Sequence, residues 1–143
     1  MTDPASAQQS IVDEFSLFDD WLDRYQYLID LGKKLPELAV EEMIDANLLD
    51  GCQSRVWLLI EGDKNTMTIR ANSDAAIVSG LIALLTRVYS GASASQVLDT
   101  DPEFISAIGL SSHLSPTRAN GLHAMLKAIN EAAAMMLATE TVS

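Results

Sequence analysis

Val56-Trp57-Leu58-Leu59-Ile60, Glu61-Gly62-Asp63-Lys64-Asn65 and Thr66-Met67-Thr68-Ile69-Arg70 follow one another without a break, and the fold is decided by how they are read. The outer two runs are rich in β-branched, aromatic and aliphatic side chains. The middle one is polar and contains a glycine. Two strands joined by a turn, an antiparallel hairpin, is the arrangement that this order favours. In the second arm Met67 and Ile69 alternate with Thr66, Thr68 and Arg70. That period of two puts one face of the hairpin in a core.

Immediately downstream, Ala75 to Ser90 carries Ile77, Val78, Leu81, Ile82, Leu84, Leu85 and Val88. A helix apolar around most of its circumference belongs at the centre of a domain, packed on the sheet and on other helices. Ser73 or Asp74 is placed to cap it, and Gly91 to end it. Further on, Ser93-Ala94-Ser95-Gln96 fits a capping box opening a short helix. Asp101-Pro102 supplies a cap and a first-turn proline for another, ended by Gly109. Ser115-Pro116 repeats that signal for a last long helix to about Thr139, with Leu122, Met125, Ile129, Ala132 and Met136 as its stripe.

Upstream, Asp50-Gly51-Cys52-Gln53-Ser54 reads as a loop, and Glu41 to Leu49 as a short helix. From Val12 to Leu31, Phe15, Phe18, Leu22, Tyr25 and Ile29 recur at steps of three and four, the buried stripe of one long helix. Asp19, Asp20, Asp23 and Asp30 fall off that stripe and face water. Gly32 suits the helix stop, with Lys33 and Lys34 at the dipole end and Pro36 beyond. Residues 1–10 are small and polar and read as loose. The expected fold is α+β: one domain with a small antiparallel sheet packed by long N-terminal, central and C-terminal helices.

With 143 residues, 48% hydrophobic and 20% charged, the chain can bury the core of one domain. The formal charge is -11, and residues 1–50 hold 12 acidic against 3 basic side chains, a net of -9. Clustered cations are what a phosphate backbone or an anionic membrane rewards, so neither nucleic acid nor membrane is an expected partner. The acidic half can steer a basic protein, or it can simply be a solvated helix face. The longest nearly apolar run, Ala75–Leu85, is too short to span a bilayer. Met1-Thr-Asp-Pro-Ala-Ser-Ala lacks the features of a secretory signal, and one cysteine makes no internal disulfide. The cytoplasm is the expected compartment.

One Cys and two His (His113 and His123) show no metal-ligand spacing, and no metal or cofactor is expected in the chain. Nucleotide-binding glycine motifs and the G-x-S-x-G elbow are missing. Carboxylate pairs such as Asp19-Asp20 and Glu41-Glu42 read as solvated charge. Cys52 remains. A lone cysteine can be a small buried hydrophobe, but this one follows Gly51 and precedes Gln53 and Ser54 in a loop where a strand begins. Glycine there leaves room for another molecule, and loop N–H groups can favour the attacking thiolate. The residues alone support a possible nucleophile.

Gly51-Cys52-Gln53-Ser54-Arg55-Val56-Trp57 resembles the signature of the SufE family of sulfur acceptors. Three further runs match in the family's order: Trp21-x-x-Arg24-Tyr25-x-x-Leu28-Ile29-x-Leu31-Gly32-x-x-Leu35-Pro36, Ser73-Asp74-Ala75-x-Ile77-Val78-x-Gly80-Leu81, and His113-Leu114-Ser115-Pro116-x-Arg118-x-Asn120-Gly121-Leu122-x-Ala124-Met125. Together they cover about residues 15 to 135. Asn72 departs from the pattern, where an acidic residue or glycine is expected. Gln53-Ser54 is closer to the SufE branch than to the related CsdE branch.

The resemblance implies a SufE/IscU-like fold and a sulfur relay. Cys52 would take a persulfide sulfur from a SufS-type cysteine desulfurase and pass it to a SufBCD-type iron–sulfur scaffold. Pyridoxal phosphate would belong to the partner, and the chain would stimulate that partner without turnover of its own, as a monomer or weak homodimer. Cys52 would be partly sequestered until docking moves its loop. Arg118 would hold that loop or stabilise a sulfur anion, or serve as a plain structural arginine. Asp74 would anchor the loop, meet the partner or cap the helix. His113 would shuttle a proton or pack the loop, and Gly51, Gln53 and Ser54 would shape it. Trp57 reads as core. Two other classes compete: a Cys-nucleophile enzyme (peptidase or thiol peroxidase) with His113 or His123 as base, and a non-catalytic binding module whose acidic first helix docks a partner and whose cysteine merely packs.

Overall fold

The computed structural model describes residues 3–49 and 54–142. It is an α+β fold in which two antiparallel strands and seven α-helices are seen among the described residues. The N-terminal segment departs from the sequence reading. Residues 4–10 are not loose; they lie in α1 (Pro4–Phe15), which starts where the Asp3 carboxylate accepts the Ala5 N–H at 3.2 Å and Pro4 fills a first-turn position.

The single helix expected over Val12–Leu31 is broken in two. Asp20 takes an extended backbone and its Oδ1 accepts the Leu22 N–H at 3.0 Å, so α2 (Trp21–Lys33) begins afresh after a turn. The break resets the helical phase. Leu22, placed on the buried stripe by the unbroken reading, is 75% exposed, and α2 buries Leu28 and Gly32 instead. Asp19, Asp20, Asp23 and Asp30 are exposed, as expected. Gly32 does not stop the helix. A Cβ there would lie 2.6 Å from the backbone nitrogen of Gly80, and one on Gly80 would lie 2.3 Å from the Leu28 carbonyl oxygen. The glycines let two helix backbones approach closely.

The hairpin forms as read. β1 (Val56–Gly62) and β2 (Met67–Ser73) pair antiparallel from Val56↔Ser73 to Gly62↔Met67. Gly62 sits at φ +96°, and Asp63 Oδ1 accepts the N–H groups of Asn65 (2.9 Å) and Thr66 (3.1 Å), closing the turn. Met67, Ile69 and Ala71 are buried on the inner face, against α3 (Ala76–Tyr89). That helix buries Val78, Leu81, Ile82, Leu84, Leu85 and Val88 and is the centre of the core. Trp57, read as core, is half-buried on the opposite face.

That outer face is covered by residues 36–49. Two 3-10 turns, Val40–Glu42 and Asp45–Asn47, replace the short helix expected there. Asn72 holds this strap with both ends of its amide: Oδ1 accepts the Leu38 N–H (2.7 Å) and Nδ2 donates to the Pro36 carbonyl (3.1 Å). An ionised acidic side chain in its place could accept from Leu38 but would lack the donor to Pro36.

After Gly91, the capping box of Ser93 and Gln96 opens α4 (Ala94–Asp99). The helix expected at Pro102 starts two residues later, as α5 (Phe104–Ala107), and Gly109 ends it at φ +82°. A further turn, α6 (Leu110–His113), precedes α7 (Pro116–Val142). Leu122, Met125 and Ile129 of α7 are buried, with Ala133 rather than Ala132 continuing the stripe. Glu14 of α1 takes both Arg87 of α3 and the hydroxyl of Tyr27 of α2, joining three helices.

Candidate functional site

Cys52, Gly51 and Gln53 lie outside the described residues, so the site is built from what flanks them. On the upstream side, the Leu49 N–H donates to the Val56 carbonyl at 2.9 Å, and Leu48 pairs with Trp57 as an antiparallel bridge. These bonds form a neck at which the chain leaves and rejoins the sheet. On the downstream side, the Arg55 N–H donates to Asp74 Oδ1 at 3.2 Å. Both ends of the loop are therefore tied to the hairpin by hydrogen bonds.

Asp74 is not the helix cap that was one reading of it. The N-cap of α3 is Ala75, whose side chain caps nothing, and Ser73 Oγ accepts the Ala75 N–H at 3.1 Å. With Ser73 serving the helix start, the Asp74 carboxylate is directed to the strand opening at Arg55. Asn72, Ser73 and Asp74 thus fasten three different segments: the strap, the start of α3, and the end of the cysteine loop.

Ser54 is half-buried and lines a small cleft between β1, α3 and the first turns of α7. Val56, Val78, Leu81 and Leu122 form its apolar wall, and Thr117 and Arg118 its polar side. The structure therefore brings Ser54 and Arg118 together. Arg118 is exposed, and its backbone N–H donates to Ser115 Oγ at 3.3 Å, the contact that opens α7. Among the described residues its guanidinium has no carboxylate partner.

His113 is held elsewhere. Its ring stacks on Trp21 with centroids 3.8 Å apart, and Nδ1 lies 3.0 Å from the Gly109 carbonyl. A carbonyl only accepts, so Nδ1 carries the proton there. The His113 carbonyl in turn accepts the Tyr25 hydroxyl. Neither His113 nor His123 lines the cleft of Ser54 and Arg118. His113 here packs the α6 segment onto α2, the loop-packing alternative of the sequence reading.

The sequence reading missed the neck, which rests on main-chain bonds that no motif marks, and the strap, which side chains distant in sequence hold in place. Only Asn72 carried a signal, as a departure from the family pattern. Among the described residues, no group of three or more His, Cys, Asp or Glu could hold a metal ion. No described helix is long and apolar enough to cross a membrane.

The SufE family, described as an Fe–S metabolism associated domain, matches residues 9–133. The chain belongs to the SufE family. An uncharacterized SufE-like protein of Rhizobium etli is 47% identical over 128 residues, covering 86% of each chain. Another, from Rhizobium meliloti, is 40% identical over 128 residues, covering 86% of this chain and 91% of its own. The solution structure of a hypothetical protein from Thermus thermophilus superposes with a TM-score of 0.75, over 96% of this chain and 99% of its own. At 21% identity that likeness establishes the fold alone. Membership of the SufE family associates the chain with iron–sulfur metabolism.

Proposed function

We propose that this SufE-family chain is a sulfur carrier that loads Cys52 from a pyridoxal-phosphate-dependent cysteine desulfurase and unloads it to an iron–sulfur scaffold. The Cys52 thiolate attacks the outer sulfur of the donor's persulfide. A new S–S bond forms at Cys52, the donor's S–S bond breaks, and the electron pair leaves on the donor's cysteine thiolate. The proton on the transferred sulfur travels with it, so the exchange needs no outside oxidant or reductant. Pyridoxal phosphate stays with the desulfurase, and delivery to the scaffold repeats the same displacement with Cys52 as the leaving thiolate. Removing sulfur from the desulfurase is what would stimulate it. The compartment in which iron–sulfur assembly and this single thiol fit together is the reducing cytoplasm.

The observation that supports the reading is that, in a chain of this family, the sole cysteine falls between residues bonded on both sides, Leu49 to Val56 and Arg55 to Asp74, with Ser54 on the cleft. Arg118, on the same cleft, would steady the persulfide anion. A single thiol suits a carrier, because a second one nearby would convert the persulfide to a disulfide and release the sulfur.

The test is mass spectrometry after incubation with a SufS-type desulfurase and cysteine. Sulfane sulfur is expected on the wild type and none on Cys52→Ser. Equal loading of both would refute the assignment.

A further inference from the structure

We propose that the strap of residues 36–47, crested by Val40 and Ile44, is the surface on which the sulfur donor docks, through a donor cleft that is apolar and rimmed by lysine or arginine. This rests on the carrier reading above. Val40 is 77% exposed and Ile44 49%. Exposed aliphatic side chains are common, but these stand on a segment that is firmly held. Leu38 is buried, Asn72 bonds the strap twice, and Glu42 accepts the Ala39 N–H (3.0 Å) while pairing with Arg70. Asn47 Nδ2 closes the second turn on the Glu42 carbonyl at 2.8 Å. A fixed segment that presents aliphatic groups to water loses little freedom when a partner covers them.

The rim defines the partner's charge. Residues 36–49 contain no lysine or arginine, and Glu37, Glu41 and Asp45 are all exposed around the crest. Glu42 is matched by Arg70, whereas Glu37, Glu41 and Asp45 have no ion pair among the described residues. A second copy of this chain would set the same carboxylates against one another on a molecule of net charge -11, which argues against self-association here. A basic-rimmed apolar cleft is complementary in both respects. The position matches the task as well, because the strap runs directly into Leu48 and Leu49, the neck of the Cys52 loop. A donor seated on it is beside the Leu48–Leu49 end from which the chain runs on to Cys52.

The experiment measures binding of a purified SufS-type cysteine desulfurase, by calorimetry and by stopped-flow association. It compares wild type, Val40→Ser/Ile44→Ser, Glu37→Gln/Glu41→Gln/Asp45→Asn and Cys52→Ser. The crest variant is expected to raise Kd by about tenfold or more, as loss of two buried aliphatic anchors does. The rim variant is expected to slow association by about tenfold at low salt and to flatten its salt dependence. Cys52→Ser is expected to bind near the wild-type Kd while accepting no sulfur. Both strap variants replace exposed side chains, and thermal unfolding checks that each remains folded. Wild-type binding by the crest variant, if the wild type loads sulfur normally, overturns the docking surface and leaves the carrier reading standing. Normal loading by the crest variant with failure only in delivery to the scaffold reassigns the surface to the acceptor and also overturns the proposal. A wild type that takes up no sulfur from the desulfurase overturns the carrier reading itself.

Discussion

Replacing Gly80 by alanine adds one methyl group to the middle of α3, and two effects of opposite sign compete. Intrinsic helix propensity favours the substitution by about 0.8–1.0 kcal/mol. Packing opposes it, because the new Cβ would lie 2.3 Å from the Leu28 carbonyl oxygen, 2.6 Å from Leu28 Cγ and 2.9 Å from the Leu28 carbonyl carbon. Two of those three atoms are backbone, so α2 must separate from α3 along the face that carries the densest helix–helix contact of the fold. Overpacking a close contact costs about 1–3 kcal/mol, and backbone obstruction places this case at the upper end. The net expectation is a loss of about 2 kcal/mol. For a chain of this length that lowers Tm by about 3 °C per kcal/mol, hence about 6 °C. Urea unfolding with the slope m held common to both proteins measures the loss directly. Gly32→Ala meets the same interface from the other side, 2.6 Å from the Gly80 backbone nitrogen. Once the helices have parted, the second methyl costs less, so the double variant is expected to fall short of the sum. A Gly80→Ala protein as stable as wild type, or more so, would refute the close-approach explanation of both glycines.

Two further outcomes follow from polar contacts. The Arg87 guanidinium beside Glu14, helped by the Tyr27 hydroxyl and opposed by partial burial, lowers the Glu14 carboxyl from 4.5 to about 2. A folded-state value below the unfolded one contributes stability that is complete above about pH 4.5 and lost as pH falls towards 2. The stability difference between wild type and Glu14→Gln, measured by urea unfolding, is therefore expected to shrink across that window. A difference that stays constant from about pH 6 to about pH 2 would remove the Arg87 pairing as its source. Asp74→Ala removes the acceptor of the Arg55 N–H, an exposed hydrogen bond worth about 0.5–1.5 kcal/mol. Exchange of the Arg55 amide is expected to quicken by about tenfold while the Ile69 amide, bonded to Ser90 Oγ at 3.0 Å, keeps its rate. Unchanged Arg55 exchange would show that Asp74 does not hold the strand opening.

The hairpin, the central helix and the start of the last helix were all legible in the sequence because each is specified locally. Met67 and Ile69 alternate, Gly62 and Asp63 make the turn, and Ser115-Pro116 announces α7. The break between α1 and α2 was not legible, because Asp20 is one of several aspartates on a polar face and its capping bond to Leu22 decides the matter. That one cap turned a correct period into a wrong phase at Leu22. Gly32 was misread for a related reason: glycine at a helix end and glycine at a helix crossing look alike until the second helix is in place. At the site, the cysteine stands out in the sequence as a residue type. Leu49 and Val56 pair through main-chain groups alone, and Asp74 accepts from a main-chain N–H, a group that every residue carries and no side chain advertises.

The bond from Leu49 to Val56 has an engineering consequence. Because main-chain atoms make that closure, the segment it encloses can be rewritten or lengthened while the scaffold beneath stays the same. Polymer closure entropy grows only as (3/2)RT ln n, so two added residues cost about 0.3 kcal/mol. Reach from the scaffold is thus an adjustable dimension, and if the chain is the carrier proposed above, graded insertions before Ser54 would act as a molecular ruler for how far its cargo must travel between proteins.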